Sequence, residues 1–569
     1  MSKLDQLRAC SKLKDLAMVL DIEPKSLAYI IHVIPDHQKY KYFSIPKKNG
    51  GIRTISAPVP KLKMAQKRLA SVLSDCLFEI ESKSEVLEHC ALSHGFIKRR
   101  SIITNAKRHR NRRYVFNLDV ENFFPSIHFG RVRGFFMKSR SFGLAEPVAT
   151  AIAQIACHNG VLPQGSPCSP VISNLIAHIL DIHLNKFASS NACTYTRYAD
   201  DMTFSTNKKI FPAVIGKPVA ETPHRWSVGD ELAGRIFRAG FRINQAKTRM
   251  QYQNSRQDAT GLIVNEKVNV PVEYYKRARA MCHSLVTTGE FFFPEQTSPA
   301  VPAQLRGLLS FLFLVRGIPY SHKRIAIGKG ETEKEIRPAF YRIYKIFLDF
   351  IHFHGNERPT IICEGKTDGS YLADAIKALA TAYPTLVSVG PNEKRLLIKF
   401  YRYSETADAV QDLAGGTGDL SKFIRGYEGT LRPLRAPGRR QPVIIVVDND
   451  SGAAPVWAAI KHVSKRAANV DGSETFYHVI HNLYVVPIPK VGGVDTQIEA
   501  FFDAKTLGTV VNGRRFSPDE NRLDPKLHYG KVDFAKEVNK RRTEVDFSAF
   551  APILDRLVQV QIDYAGRLF

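Results

Sequence analysis

The sequence has no apolar run long enough to cross a membrane and no cysteine pair suited to a metal. Its longest largely apolar stretch, residues 307–315, is much shorter than the roughly 20 residues of a membrane-spanning helix. The eight cysteines include no Cys-x-x-Cys pair, so neither a zinc ribbon nor a disulfide framework is indicated. Residues 1–20 mix charged residues with spaced leucines, which predicts an amphipathic helix rather than a signal peptide. We therefore expect a cytoplasmic protein with reduced thiols and no membrane partner.

Acidic residues are scarce relative to basic ones. Lysine and arginine total 81 against 54 for aspartate and glutamate, which gives a formal net charge of +27. Such an excess repels itself unless a polyanion neutralises it, so nucleic acid is the expected partner. A hydrophobic content of 44% is that of a folded globular protein, and 569 residues predict more than one core.

Neither internal repeats nor long low-complexity tracts divide the chain, so its organisation is inferred from changes in pattern. Basic residues and helical periodicity dominate up to about residue 120, interrupted by a hairpin signal: Gly50-Gly51 between strand-like residues 42–45 and 52–55. The next region mixes strands and helices, which is typical of an α+β domain. The strands are predicted at 114–120, 194–198, 202–205 and 260–264, and a helix at 170–187.

Helical periodicity from 271 to 350 is followed by turn residues at 353–359, which place a domain boundary near residue 355. Beyond it, strands at 360–363 and 443–447 and a helix at 370–383 have the rhythm of an α/β domain with a parallel sheet. The predicted domains are residues 1–270, 271–354 and 355–569.

Three carboxylates in the α+β region are placed to converge. Asp119 ends an apolar strand, and Asp200-Asp201 lie between two short strands in the sequence Tyr198-Ala-Asp-Asp. Acid groups of this kind hold two Mg²⁺ ions for phosphoryl chemistry. The alternative is that Asp200-Asp201 is only a turn and Asp119 a solvated strand end.

The motifs around these acids resemble, in their order, those of reverse transcriptases across roughly the first 320 residues. They are residues 45–58 (IPKKNGGIRTISAP), 118–127 (LDVENFFPSI), 162–170 (LPQGSPCSP) and 243–248 (INQAKT). The resemblance implies a right-hand polymerase fold of fingers, palm and thumb, with the thumb in the helical region after residue 271. It also implies an RNA-directed DNA polymerase that uses deoxynucleoside triphosphates.

The resemblance assigns roles by position. Lys247 would donate a proton to pyrophosphate, and Phe124 would exclude a ribose 2′-hydroxyl. Arg53, with Lys47 or Lys48, would contact the triphosphate, whereas Gln164 and Gly165 would lie near the sugar and template base. The implied metal ligands are Asp119, Val120, Asp200 and Asp201, and Tyr198 completes the substrate-binding set. Four of these assignments have a structural alternative. The basic residues around Arg53 could form a solvated hairpin, and Phe124 could be a core residue. Residues 162–170 could be a generic loop, and Lys247 an exposed structural lysine.

Two short signatures narrow the resemblance to the retron reverse transcriptases of bacteria. Residues 105–109 fit their Asn-Ala-x-x-His pattern, and Ala259-Thr260-Gly261 stands where they carry Val-Thr-Gly. The implied partners are a cognate noncoding RNA, serving as template and primer, and its branched DNA product. Residues 98–113 carry eight Lys or Arg and no acid, which suits RNA phosphates, although a solvated basic face is the alternative. The predicted RNA-binding residues are Asn105, Arg108, His109, Arg110, Arg112 and Arg113.

A second set of acids follows the strands of the α/β region. Glu364 follows strand 360–363, and Asp448 and Asp450 follow strand 443–447. This pairing over residues 359–569 resembles the Toprim fold, whose acids bind one or two Mg²⁺ ions for phosphodiester chemistry. Glu499 is implied as a further metal ligand, and Lys531 as a late lysine.

Polymerase and Toprim together resemble retrons with a fused nuclease that acts in anti-phage defence by abortive infection. The nuclease target would be host or phage RNA or DNA, and the chain is a candidate homo-oligomer. Two alternatives stay open. The Toprim region could be a noncatalytic module for nucleic-acid binding or assembly, or the chain could be a mobile-element or diversity-generating reverse transcriptase with a cleavage domain.

Overall fold

The computed structural model describes residues 1–46, 50–82, 92–219, 222–294, 296–317, 324–325, 334–335, 338–391, 393–465, 469–518 and 524–567. The chain divides into two compact units, Met1–Val272 and Glu273–Phe569. Lys47 and Lys48, predicted to contact the triphosphate, lie outside the described residues. None of the helices in the described ranges is both long enough and apolar enough to cross a membrane.

The first unit contains nine helices and ten strands among its described residues. Its helices are α1 (Lys3–Arg8), α2 (Leu13–Val19), α3 (Pro24–Ala28), α4 (Pro60–Ser82), α5 (Ile102–Arg108), α6 (Phe129–Lys138), α7 (Glu146–Ala156), α8 (Ser169–Ser190) and α9 (Asp230–Arg238). Its strands are β1 (Tyr40–Pro46), β2 (Ile52–Pro58), β3 (Tyr114–Asp119), β4 (Thr194–Tyr198), β5 (Asp201–Thr206), β6 (Gly216–Val219), β7 (Thr222–Val228), β8 (Arg249–Tyr252), β9 (Asp258–Ala259) and β10 (Leu262–Ile263).

A four-stranded antiparallel sheet positions the first acids. Its order is β4-β5-β3-β8, and the register sets Asp119 of β3 opposite Asp201 of β5. Helix α8, which has buried residues along its whole length, packs on β4 and covers the sheet. Of the strand predicted at 260–264 only Leu262–Ile263 (β10) forms, because Thr260 (φ +49°) and Gly261 (φ +80°) make a tight turn between β9 and β10. Left-handed backbone cannot continue an extended strand.

The N-terminal region and the hairpin lie before this sheet in the chain. The single amphipathic helix predicted over residues 1–20 is instead two helices, α1 and α2. They separate because the Asp15 carboxylate accepts hydrogen bonds from the main-chain N–H groups of Ser11 and Lys12, which starts a new helix. Strands β1 and β2 form the predicted basic hairpin, with Ile45 opposite Arg53.

The second unit begins within a long helix and ends on another. Its helices are α10 (Val272–Thr288), α11 (Pro302–Arg316), α12 (Ala339–Asp349), α13 (Asp368–Ala378), α14 (Glu405–Gln411), α15 (Thr417–Leu431), α16 (Ala454–Ser464), α17 (Ala504–Leu507), α18 (Lys531–Lys540) and α19 (Ala551–Gly566). Its strands are β11 (Arg324–Ile325), β12 (Lys334–Glu335), β13 (Thr360–Cys363), β14 (Val387–Val389), β15 (Lys394–Leu396), β16 (Lys399–Phe400), β17 (Val443–Val447), β18 (Tyr477–Ile480), β19 (Leu483–Pro487), β20 (Val510–Val511), β21 (Arg514–Phe516) and β22 (His528–Tyr529).

A five-stranded sheet of order β16-β13-β17-β19-β18 forms the centre of this unit. The first four strands run parallel, and β18 pairs antiparallel at one edge. Every residue of β13, β17 and β19 is buried, as expected for parallel strands covered on both faces. The helix predicted at 370–383 ends earlier, at Ala378. Pro384 disfavours helical backbone at the residue before it.

Candidate active sites

The palm cluster consists of Asp119, Asp200 and Asp201. Asp119 ends β3 and Asp201 begins β5, so their cross-strand pairing sets the two residues side by side. Asp200 is adjacent because its main-chain carbonyl accepts a hydrogen bond from the Val120 amide at 3.0 Å. Ala199 in the connecting turn has φ +56°, and Gly95 packs against it so closely that a Cβ would lie 2.7 Å from the Ala199 nitrogen. The hairpin therefore turns sharply enough to bring all three acids to one place.

Burial and mutual repulsion act on these acids. Burial, followed by the charges of Asp200 and Asp119, raises the pKa of Asp201 to about 6. The pKa of Asp200 is also raised, mainly by burial and then by Asp119. Lys247 contacts both carboxylate oxygens of Asp119 at 2.9 and 3.0 Å, and this hydrogen bonding raises the pKa of the lysine. Lys247 thus compensates part of the negative charge and remains protonated.

A buried ion pair beneath the turn was missed from the sequence. Arg197 of β4 is completely buried and binds both carboxylate oxygens of Asp181 on α8, at 2.8 and 2.7 Å. Its remaining nitrogen donates to the Ala199 carbonyl at 2.9 Å, which ties the pair to the turn that carries Asp200. An arginine inside a predicted strand and an aspartate inside an apolar helix were the available signals, since such charges are buried only when paired.

The residues predicted to bind nucleotide surround the palm cluster. Arg53 of β2 is exposed, and its charge lowers the pKa of Asp200, although burial outweighs it. The Gln164 carbonyl accepts from the Ser56 amide at 2.8 Å, and Gly165 (φ +118°) approaches the hairpin so closely that a Cβ would lie 2.6 Å from the Ser56 carbonyl. The hairpin is thereby fixed beside this loop.

An aromatic group lines the same region. The Phe96 ring is 6.3 Å from that of Phe124 and 6.5 Å from that of Tyr198. Phe124 is half-buried and also contacts Phe123 edge-on. The predicted sugar filter therefore has rigid neighbours on both sides.

The predicted RNA-binding residues separate into two groups. Arg108, Arg110 and Arg113 are exposed, and Arg112 is half-buried. A basic recess of about 310 Å³ is lined by Lys107, Arg108, Arg110 and Arg112. Asn105 and His109 are buried, at 1% and 0% exposure. The structure therefore places these two predicted side chains in the interior of the unit and not on its surface.

Asn105 and His109 stabilise the palm sheet instead. The two ring nitrogens of His109 hydrogen bond to the hydroxyls of Ser205 and Thr196 at 2.8 and 2.7 Å, and Thr196 donates to Asn105 at 2.6 Å. Burial, followed by the charge of His94, lowers the pKa of His109 to about 3, so the imidazole is neutral. The signature therefore joins α5 to β4 and β5.

The strand-end cluster consists of Glu364, Asp368, Asp448 and Glu499. Glu364 follows β13, and its carboxylate accepts from the Asp448 amide, just beyond β17, at 3.2 Å. The Asp448 carboxylate accepts from the Ile498 amide at 3.0 Å, which draws Glu499 toward the sheet. The predicted late lysine, Lys531, contacts Glu499 at 3.1 Å. Carboxyl ends of neighbouring parallel strands thus bring these acids together.

Several acids of this cluster have a raised pKa and therefore ionise less readily than free carboxyl groups. Burial, then Asp368 and Glu364, raises the pKa of Asp448 to about 8. Burial also raises the pKa of Glu364 to about 7, with Asp450 and Asp368 adding to it. Asp368 was not among the predicted metal ligands. Its carboxylate accepts a hydrogen bond from the Gly365 amide at 2.7 Å. Its position three residues after Gly365 was the sequence signal that could have identified it. Asp450 accepts from Gly452 at 2.9 Å at the edge of the cluster.

The donor chemistry of both clusters suits a hard divalent cation. Carboxylate oxygens are the preferred ligands of Mg²⁺, and Glu499 Oε1 is buried without a hydrogen-bond partner among the described residues. As the described side chains stand, however, no group of three or more His, Cys, Asp or Glu is positioned to hold a metal. Lys247 and main-chain amides occupy carboxylate oxygens instead. A cation would replace these partners.

Known proteins resemble this chain most clearly in its first half. The family model described as "Reverse transcriptase (RNA-dependent DNA polymerase)" matches residues 45–270. The retron Ec86 reverse transcriptase of Escherichia coli is 31% identical over 334 residues, covering 58% of this chain and 92% of that protein. The retron Mx65 reverse transcriptase of Myxococcus xanthus is 32% identical over 333 residues, covering 55% and 70%.

A further relative and a solved structure complete the comparison. The retron Ec83 reverse transcriptase of Escherichia coli is 30% identical over 308 residues, covering 52% of this chain and 88% of that protein. Telomerase from Candida albicans in complex with a fragment of telomeric RNA has a TM-score of 0.30 and 12% identity, covering 48% of this chain and 55% of that one. Each relative leaves more than a third of this chain unmatched.

Proposed function

The chain belongs to the retron reverse transcriptase family, and on this premise we propose that it copies a cognate noncoding RNA into branched, RNA-linked single-stranded DNA. The observation that carries this proposal is the cross-strand placement of Asp119 and Asp201, with Asp200 in the turn beside them. The retron relatives support RNA-directed DNA polymerase activity as the reaction of this site.

The side chains around the palm cluster have separate tasks. Arg53 attracts the triphosphate toward the acids, and Phe124 excludes a 2′-hydroxyl because its ring lies between Phe96 and Phe123. Lys247, held protonated by Asp119, is a proton donor for the departing pyrophosphate once that ion pair opens. Arg197 keeps the turn in place through the Ala199 carbonyl.

Reverse transcriptase domains generally use Mg²⁺, and here Asp119, Val120, Asp200 and Asp201 are the proposed ligands. The cation would activate the attacking hydroxyl and stabilise pyrophosphate. Lys247 contacts both oxygens of Asp119, so a cation held there would compete with the lysine for the carboxylate.

The test is synthesis of branched DNA in cells that express the chain with its noncoding RNA gene. Replacing Asp200 and Asp201 together by Asn should remove the product, whereas Asp230→Asn, at an aspartate with 90% side-chain exposure, should leave its amount unchanged. Branched DNA at wild-type levels from the double variant would refute the proposed active site.

A second function is proposed for the strand-end cluster: metal-dependent cleavage of RNA or DNA by a Toprim-like domain over residues 355–569. Its support is the meeting of Glu364, Asp448 and Glu499 beyond neighbouring parallel strands, with Lys531 as their one close cation in the described part of the unit. Asp450 and Asp368 would complete the metal environment, with one or two Mg²⁺ ions. The cation would activate water for phosphodiester hydrolysis.

Cleavage is tested with purified full-length chain, Mg²⁺ and labelled single-stranded RNA and DNA. Asp448→Asn should abolish cleavage, and Glu544→Gln, at an exposed acid outside the cluster, should not. Wild-type cleavage by Asp448→Asn would show that the nuclease is elsewhere. Absence of cleavage by the wild-type chain would favour the alternative of a noncatalytic binding or assembly module.

We further propose that the branched RNA-DNA restrains this nuclease and that phage infection releases it, causing abortive infection. The net charge of +27 favours retention of such a polyanion on the chain. Sequencing the nucleic acid that copurifies with the protein tests this idea. A short branched RNA-DNA supports it, whereas long heterogeneous templates would favour a mobile-element or diversity-generating enzyme.

A further inference from the structure

A large basic cavity lies in the second unit beside the strand-end cluster. Its volume is about 930 Å³, which is within the range of small-molecule sites, and it opens between α11, α12, β16 and the loop after β13. Gly365 and Lys366 line it, but Glu364, Asp448, Asp450 and Glu499 do not. The cavity is therefore separate from the strand-end cluster, although it shares a loop with Glu364.

Cations dominate the walls of this cavity. Among the described lining residues Asp374 is the only acid, and it is engaged by Asn539 at 3.3 Å. The basic side chains of the lining make no ion pair with any carboxylate in the described part of the chain. The basic lining residues are Arg306, Arg358, Lys366, Lys377, Lys399, Arg402 and Arg542. Among the described lining residues, positive charges therefore outnumber negative ones.

Three of these cations are close enough to oppose one another. Burial, then the charges of Arg306 and Arg358, lowers the pKa of Lys399 to about 8, and Glu357 offsets this only in part. His352, also in the lining, has its pKa lowered by burial and then by Lys399 and Arg306. A folded chain that holds like charges together at this cost is suited to an anion.

His352 gives an independent indication of a ligand. Its side chain is buried at 7% exposure, and its Nδ1 has no hydrogen-bond partner among the described residues. A buried polar atom without a partner destabilises the folded chain, so such atoms are uncommon unless something else satisfies them. Among the described residues, this ring nitrogen is left unsatisfied in a side chain that lines the cavity.

Aromatic rings form the other part of the lining. Tyr401 and Tyr403 pack edge-on with centroids 5.6 Å apart, and their hydroxyls are already used, by Gln411 and by the Cys363 carbonyl respectively. Tyr401 is 6% exposed and its ring stacks on Phe353, whereas the ring of half-buried Tyr403 remains as apolar surface in the cavity. Cations beside aromatic rings are the combination that recognises a phosphate attached to a base.

We propose that this cavity binds a nucleotide, with its phosphate on Arg306, Arg358 and Lys399 and its base against Tyr403. The nucleotide is either free or the 5′-phosphorylated end of a nucleic acid strand, since both present the same chemistry. Binding does not require the strand-end cluster to be catalytic. It would order the loop that carries Gly365 and Lys366, and through it Glu364.

The experiment measures binding to the full-length chain by calorimetry in EDTA, which removes metal-dependent binding at the acid clusters. The probes are adenosine 5′-monophosphate, a 5′-phosphorylated tetradeoxynucleotide and the same oligonucleotide without phosphate. Equal binding of the first two identifies the free nucleotide as ligand, and binding of the phosphorylated oligonucleotide alone identifies a strand end. Both results support the proposal if the oligonucleotide without phosphate binds at least about tenfold more weakly.

Variants assign the binding to the cavity. Lys399→Gln and Arg306→Gln should each weaken it by about tenfold or more, because each removes a charge-assisted hydrogen bond. Lys461→Gln, at an exposed lysine of α16 outside the cavity, is the matched control and should leave affinity unchanged. Arg306 is exposed, so its variant tests the site even if Lys399→Gln folds poorly. No binding by wild-type chain, or equal affinity in the cavity variants and the control, overturns the proposal.

Discussion

The palm cluster and the strand-end cluster both combine several carboxylates with one lysine, but different sheets assemble them. In the palm, an antiparallel register sets Asp119 opposite Asp201, and a hairpin turn supplies Asp200. In the second unit the acids follow separate parallel strands and meet through main-chain amides. The pKa of Asp448 reaches about 8, whereas that of Asp201 reaches about 6. The strand-end acids therefore resist ionisation more strongly and depend more on a compensating cation.

The largest expected effect separates the two clusters by activity. Asp119→Asn should lower DNA synthesis by about 100-fold or more while leaving metal-dependent cleavage intact, because the acids belong to different units. Glu364→Gln should do the reverse. Both activities are measured on each purified variant. If either variant lost both activities while its melting temperature stayed normal, the clusters would not be independent.

The second-largest expected effect concerns the buried ion pair of Arg197 and Asp181. None of the ion pairs described in the second unit is buried to the same degree. Arg197→Met should lower the free energy of unfolding by about 3–5 kcal/mol, because the buried Asp181 carboxylate loses its counter-charge and keeps only the Tyr195 hydroxyl. The double variant Arg197→Met, Asp181→Leu should recover much of that loss in chemical denaturation. Equal stability of the single and double variants would contradict a buried charge as the cause.

Arg197→Lys tests the positional part of the same idea. Lysine keeps the charge but cannot bind Asp181 with two nitrogens and Ala199 with a third. We expect kcat for nucleotide addition to fall by about tenfold with little change in KM, because the turn carrying Asp200 shifts while Arg53 and Phe124 stay. A rise in KM at constant kcat would place the effect in nucleotide binding instead.

A smaller expected effect is a difference between the two clusters in how protein stability depends on pH. The raised pKa of Asp448 means that its contribution to stability is present below pH about 4 and is lost as pH rises through 8. Asp448→Asn should therefore gain stability over wild type progressively across this window when Mg²⁺ is absent. Asp201→Asn should gain less and stop gaining near pH 6.

Thermal melting from pH 4 to 9 measures both differences. Adding Mg²⁺ should reduce them, because cation binding stabilises only the ionised wild-type clusters. An Asp448→Asn advantage that is largest at pH 4 would reverse the sign and refute the assigned cause.

The smallest effect concerns the basic recess. Arg110→Gln should weaken RNA binding and reduce the salt dependence of the affinity by about one ion, with stability unchanged. His109→Ala should instead lower the free energy of unfolding by about 1–3 kcal/mol, because Ser205 and Thr196 lose their buried partner. Filter binding over a salt series and thermal melting distinguish the two. If the His109→Ala variant folded normally but lost RNA affinity, the RNA contact predicted for His109 would be supported.

Local pattern predicted much of the secondary structure that carries the acids. The strands 194–198, 360–363 and 443–447 have the bounds that β4, β13 and β17 show, because apolar alternation and continuous apolar runs are local signals. The predicted strand at 260–264 failed where two residues take left-handed backbone. The positions of the palm acids followed from motif order, and the structure brings them together.

The sequence by itself determined the strands that end at the acids, the excess of positive charge and the membership of the retron reverse transcriptase family. Only the tertiary structure decided that His109 supports the palm sheet, that Arg197 and Asp181 hold the catalytic turn, and that Arg306 and Lys399 share a cavity. The physical reason is that burial and partnership join residues far apart in the chain. Arg306 and Lys399 are 93 positions apart, and no local pattern records that they meet.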